Sequence, residues 1–158
     1  MGVAGCGKSV VGAGLAAALG APFLEGDDLH PDANRRKMTG GQPLTDADRA
    51  PWLDAVGHWL ADHPEGVASC SALKRAYRDR LRVAAPGVRF VHLAGDGEVA
   101  SARVAARAHH FMPAALVDSQ LRDLEPLGAD EAGLTLDFAR PVDDLVHAAL
   151  TWLRSAVP

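Results

Sequence analysis

The chain is short of several things, and each shortage removes a class of protein. It has two cysteines in 158 residues, Cys6 and Cys70. They show no metal-ligand spacing and are too few for a disulfide framework. There is no excess of basic residues: 16 Lys and Arg stand against 20 Asp and Glu, for a net charge of −4. That argues against a dedicated nucleic-acid binder, whose footprint is a basic surplus. No apolar run is long enough for a membrane span and no leader pattern is visible, so a reducing cytoplasm is expected, with neither nucleic acid nor membrane as partner. Internal repeats and low-complexity tracts are missing too. What remains is 48% apolar and 23% charged residues, the composition of one globular domain with a core of its own. A homodimer is left open.

What is present begins at residue 2. Gly2-Val3-Ala4-Gly5-Cys6-Gly7-Lys8-Ser9 matches the phosphate-loop pattern G-x-x-x-x-G-K-[ST]. Glycines let successive backbone N–H groups turn into one anion-sized hollow. Lys8 would set a point charge on the β/γ-phosphates, Ser9 would ligate Mg²⁺, and the following helix N-terminus favours negative charge. Such a loop normally hangs from the end of a buried strand, and here only Met1 stands before it. The first, central strand is therefore expected to be missing from this chain, with Met1 an internal methionine preceded in the native protein by roughly five to twelve residues.

The order of elements alternates. A helix over 9–19 precedes a strand-length run over 21–25. Pro31 opens a helix that Gly40-Gly41 ends. Thr45 and Asp48 form a capping box for a helix bearing Trp52, Leu53, Val56, Trp59 and Leu60 on one face. Strands are expected near 67–70, 88–93 and 134–138, and helices over 73–84, 96–107, 113–124 and from 142 onward. Strands alternating with helices predict an α/β fold: a parallel sheet covered on both faces, with ligands beyond the strand C-termini.

Three further groups follow strands and so fall on that rim. Glu25-Gly26-Asp27-Asp28-Leu29-His30-Pro31 offers carboxylates and an imidazole to hold hydroxyls, accept a proton or reach Mg²⁺ through water; equally, it reads as an acidic turn starting the next helix. Lys74, Arg78 and Arg82 recur every fourth residue and could hold a carboxylate or phosphate, or form a solvated basic face in which Arg75 pairs with Asp79. Arg103 and Arg107, four apart, suit a lid that closes positive charge over a transferring phosphoryl group. His109-His110 has no third ligand spaced for a metal. His58, His63, His92 and His147 read as surface or satisfied core residues.

Together and in this order these strings resemble the gluconokinase family of small P-loop sugar-acid kinases. Beyond the phosphate loop and the run from Phe23 to Pro31, the likeness is carried by Asn34 to Met38, Pro43 to Asp46 with Asp48-Arg49 and Pro51-Trp52-Leu53, and Cys70 to Lys74 with Tyr77-Arg78-Asp79. His110-Phe111 with Gln120, and Leu124-Glu125-Pro126 with Gly128 to Glu131, complete it. Cys6 stands where the family often has serine, and His109 where it often has glycine.

The resemblance implies a single P-loop domain over 1–158 of the nucleoside-monophosphate-kinase type, a five-stranded parallel sheet with a mobile lid at about 103–126. It implies ATP-dependent phosphorylation of D-gluconate at the 6-hydroxyl. The loop from Gly2 to Ser9 (Gly2, Val3, Ala4, Gly5, Cys6, Gly7, Lys8, Ser9) would bind ATP. Ser9 would hold Mg²⁺, with Glu25 in its outer shell through water. Asp27 would take the hydroxyl proton, and Arg107, supported by Arg103, would neutralise developing charge on the nucleotide. His30, Arg49, Lys74, Arg78, His110 and Gln120 would hold the sugar acid, its carboxylate on the Lys74/Arg78 face. A shikimate-type kinase and a nucleotide-binding protein without turnover, disabled by truncation, are the competing readings.

Overall fold

Helix α1, Lys8–Leu19, starts and stops at glycines. Gly7 before it has φ 97° and Gly20 after it φ 68°, and the Gly20 N–H returns to the carbonyls of Ala16 and Ala17. This left-handed cap closes the last turn and sends the chain into β1, Phe23–Glu25. The computed structural model describes residues 1–106 and 115–155. After β1 come a single 3₁₀ turn at Gly26–Leu29, α2 (Asp32–Thr39), α3 (Asp46–Asp62), β2 (Val67–Ser69), α4 (Arg75–Ala84) and β3 (Phe90–Ala94). Then follow α5 (Gly97–Ala105), α6 (Ala115–Asp123), β4 (Gly133–Asp137) and α7 (Val142–Ser155). Among the described residues no helix is long and apolar enough to cross a membrane.

The expected alternation and parallel pairing are present. β1 lies beside β2 with Phe23 opposite Val67 and Glu25 opposite Ser69; β3 lies beside β4 with Phe90 opposite Gly133 and Ala94 opposite Asp137. The third strand starts at Phe90 rather than Val88, because the Val88 N–H turns back to the Ala85 carbonyl at 3.0 Å.

The five-stranded sheet does not appear: the described residues form two separate pairs. Met1 and Gly2 bridge them. The Met1 carbonyl accepts from Leu93 N at 2.9 Å, its amino group donates to the Val91 carbonyl, and Gly2 N donates to Ser71 O at 3.1 Å. Beyond this two-residue bridge lies a groove of about 660 Å³, walled by Val11, Leu15, Leu60, Val67, Phe90 and Leu153.

Two clusters form the core. One joins α1, β3, α5, α6, β4 and α7 through Val11, Leu15, Leu93, Val104, Val117 and Leu145. The other joins α3 to α4 through Trp52, Leu53, Val56, Tyr77 and Leu81. Each such side chain contributes about 1.5–3 kcal/mol on burial. Together they hold the strand C-termini on one rim.

Candidate active site

The phosphate loop lies at that rim. Gly7 takes a φ that strains any L side chain, and a Cβ there would meet nothing within 4 Å, so the loop is open above it. Lys8 folds its ammonium back onto the Val3 carbonyl at 2.9 Å. From the opposite side, Gln120 of α6 accepts the Ala4 N–H at 2.6 Å, which ties the loop to the helix that follows residue 114. Cys6 is buried under the loop and is a free thiol, as is Cys70.

The acidic turn is fixed by contacts that are remote in sequence. A Cβ on Gly26 would stand 2.1 Å from the Ser69 carbonyl oxygen, so β1 leaves the sheet closely against β2 and only glycine fits. Gly26 N donates to Ser69 Oγ at 3.2 Å, and the Trp52 indole donates to the Gly26 carbonyl at 2.7 Å. Asp27 is thereby held at the mouth, its side chain 35% exposed, with His30 Nε2 3.9 Å from its Oδ1. The His30 ring stacks on Trp52 at 4.3 Å and 14°. Burial, then the positive charges of Arg49 and Arg35, lower its pKa to about 4, so the imidazole is neutral at pH 7.

Arg49 enters from the first turn of α3. The expected capping box is formed: Thr45 Oγ1 accepts from Asp48 N at 3.2 Å and Asp48 Oδ2 from Thr45 N at 2.9 Å. Arg49 is 5% exposed, faces the Tyr77 ring at 5.8 Å, and its buried Nε has no hydrogen-bond partner among the described residues. Lys8, Ser9, Asp27, His30, Arg49 and Gln120 line one cleft with about 60 Å³ of enclosed space. The arrangement sets an anion cradle, a carboxylate, a neutral imidazole and an underused guanidinium around one point.

No family model matches the chain. Among curated proteins it is 52% identical to the gluconokinase of Gluconobacter oxydans over 136 residues, covering 83% of this chain and 76% of that protein. The chain belongs to the gluconokinase family. Solved structures agree. A gluconokinase from Sinorhizobium meliloti superposes with TM-score 0.89 at 50% identity, covering 98% of this chain and 89% of that one. A sugar kinase from Janibacter sp. gives 0.92 at 45% identity, covering 99% and 92%. The fold is that of a P-loop kinase.

Of the residues the gluconokinase pattern nominates, Lys74 and Arg78 stand outside the cleft. Arg78 is fully buried and spends its donors on protein. Its Nε and Nη2 reach Glu131 at 2.7 and 2.8 Å, Nη1 lies within 3.3 Å of the carbonyls of Ala72, Leu73 and Glu125, and Nη2 also meets Pro126 O at 3.2 Å. Arg78 so clamps the segment between α6 and β4, and Arg82 joins it on Glu131 at 2.9 Å. Lys74 pairs with Asp46 at 2.8 Å, and that hydrogen bond raises its pKa. Glu25 does not line the cleft; one of its oxygens accepts from the Ser69 hydroxyl. Arg103 on α5 lies 5.1 Å from the Phe138 ring. Arg107, His109, His110 and Phe111 lie outside the described residues.

His92 is not a satisfied core residue: it is 4% exposed and neither ring nitrogen has a hydrogen-bond partner among the described residues. Sequence reasoning also gave no role to Ser71 and Met38, which line the cleft, nor to Asn34 and Trp52 beneath it. The Trp52 segment was visible as a helix face, but nothing local in it shows which turn its indole grips.

Proposed function

We propose that this chain transfers the γ-phosphoryl group of ATP to D-gluconate, giving 6-phospho-D-gluconate and ADP in a reducing cytoplasm. The observation that carries the reading is the convergence of the phosphate loop with Asp27, His30, Arg49 and Gln120 on one cleft, in a chain of the gluconokinase family. Asp27 takes the proton of the attacking hydroxyl. As that oxygen bonds to the γ-phosphorus, the bond from phosphorus to the β–γ bridging oxygen breaks, and ADP leaves with the electron pair. The loop amides and Lys8 hold the phosphates where charge accumulates. The Ser9 hydroxyl, a hard oxygen donor at the start of α1, lines the same cleft and would hold Mg²⁺ beside the phosphates; when bound, the ion would supply charge neutralisation there.

Arg49 is the anchor for the gluconate carboxylate, in place of Lys74 and Arg78. A guanidinium buried with no hydrogen-bond partner on its Nε among the described residues gains a charge-assisted partner when the sugar acid enters. His30 and Gln120 meet the polyol hydroxyls. In the lid expected at about 103–126, Arg103 and Arg107 would neutralise charge on the nucleotide and His110 would meet the sugar acid; Arg107 and His110 lie outside the described residues.

A coupled ADP-release assay with gluconate, shikimate and no acceptor tests the reading. Turnover on gluconate alone is expected; turnover on shikimate, or none on any acceptor, overturns it. Arg49→Ala should raise the gluconate KM by roughly tenfold or more, the loss of one charge-assisted contact, while Asp27→Asn should abolish kcat.

A further inference from the structure

We propose that Asn34 locks His30 into the neutral tautomer protonated on Nε2, and so orients the acceptor hydroxyl between His30 and Asp27; the second half rests on the kinase reading above. Asn34 is 3% exposed and sits one helical turn beyond His30, on α2. Its Nδ2 donates to the Asp48 carbonyl at 2.8 Å. A carbonyl carries no proton, so this contact settles which end of the amide is nitrogen. The same Nδ2 lies 3.4 Å from His30 Nδ1. That is long for a hydrogen bond, but a second N–H there favours a lone pair on Nδ1 and the ring proton on Nε2.

The plane of the ring is set by its stack on Trp52, which is itself anchored on the Gly26 carbonyl. Nε2 then points to Asp27, 3.9 Å from Oδ1. This is too far for a direct hydrogen bond, yet a hydroxyl oxygen at about 2.8 Å from each fits between them. Such a hydroxyl accepts from Nε2–H, gives its proton to Asp27, and keeps its remaining lone pair for phosphorus. Asn34 does not line the cleft; it is a positioning residue.

The test uses the whole chain with ¹⁵N/¹³C-labelled imidazoles at pH 7, the His30 signals being those lost in His30→Gln. In the wild type, His30 should show an unprotonated Nδ1 and a protonated Nε2. Asn34→Asp places an oxygen that can only accept beside Nδ1, so the proton should move there. The gluconate KM should then rise about tenfold while the ATP KM stays within about twofold. Asn34→Ala should give a mixture of tautomers.

A wild-type His30 protonated on Nδ1 overturns the proposal, and needs no variant that folds. So does a shifted proton in Asn34→Asp with gluconate kinetics unchanged. A wild-type protein that turns over no gluconate sinks the kinase reading instead, and leaves the tautomer as measured.

Discussion

The reassignment of Arg78 can be tested through its partner. In Glu131→Gln the carboxylate that accepts from Arg78 Nε and Nη2, Arg82 Nη1 and Gly128 N, at 2.7 to 2.9 Å, becomes an amide. One end still accepts; the other now points N–H groups at a guanidinium, and a cation with 0% side-chain exposure loses its counter-charge. Breaking a buried pair from one side costs about 3–5 kcal/mol, out of about 5–15 kcal/mol for a domain of this kind. The melting temperature should fall on the order of 10 °C. The hydrogen bonds from Arg78 hold the Glu131 carboxyl well below its usual range near 4.5. With the folded pKa depressed, that stabilisation is present above about pH 4.5 and lost as the pH falls, so the variant should lack this part of acid destabilisation. Thermal melts at pH 7 and pH 4, with gluconate KM measured well below the variant's melting point, decide the matter. A melting temperature unchanged within about 2 °C, or a gluconate KM raised more than about threefold in a folded variant, would return Arg78 to the substrate and refute the clamp.

Two other outcomes follow from the structure. Burial, then the positive amino terminus and Arg78, lower the His92 pKa to about 4 against 6.5. The unfolded chain therefore takes a proton on this ring before the folded one does, and stability is lost as pH falls from about 6.5 towards 4. From pH 7 to pH 5 this amounts to about 2 kcal/mol, so His92→Leu should flatten the fall in melting temperature across that window; equal slopes would refute it. The groove is lined by Val67, Ala68 and Ser69 of β2 and by Phe90, Val91 and Leu93 of β3, which belong to separate strand pairs, so an added apolar strand would meet an edge of each. A five-residue apolar extension fused ahead of Met1 should raise the melting temperature by roughly 5 °C or more, whereas a Gly/Ser extension of equal length should not; identical melts would refute the reading.

Much of this protein is written locally. The phosphate loop, the capping box of Thr45 and Asp48, and the bounds of α1 at Gly7 and Gly20 depend on residues within a turn of one another, so spacing alone reveals them. The alternation of apolar runs with amphipathic helices then leads to parallel strands and to one rim for the chemistry. The resemblance to the gluconokinase pattern named Asp27, His30, Arg49 and Gln120, which line the cleft, but also Lys74 and Arg78, which do not, and it gave no role to Met38 and Ser71, which do.

Tertiary structure decided what each charge faces. Lys74, Arg78 and Arg82 share a helix stripe by periodicity, but periodicity cannot say what lies opposite. In the fold Arg78 and Arg82 meet Glu131, 53 residues beyond Arg78, while Lys74 meets Asp46. Arg49 carries the same charge, lines the cleft, and has no hydrogen-bond partner on its Nε among the described residues. The aim of Asp27 depends on Gly26 passing under the Ser69 carbonyl and on an indole 26 residues away. Propensity and spacing act over a few residues, whereas desolvation and hydrogen-bond saturation belong to whatever the folded chain brings into contact. Those two effects separate a structural cation from a binding one.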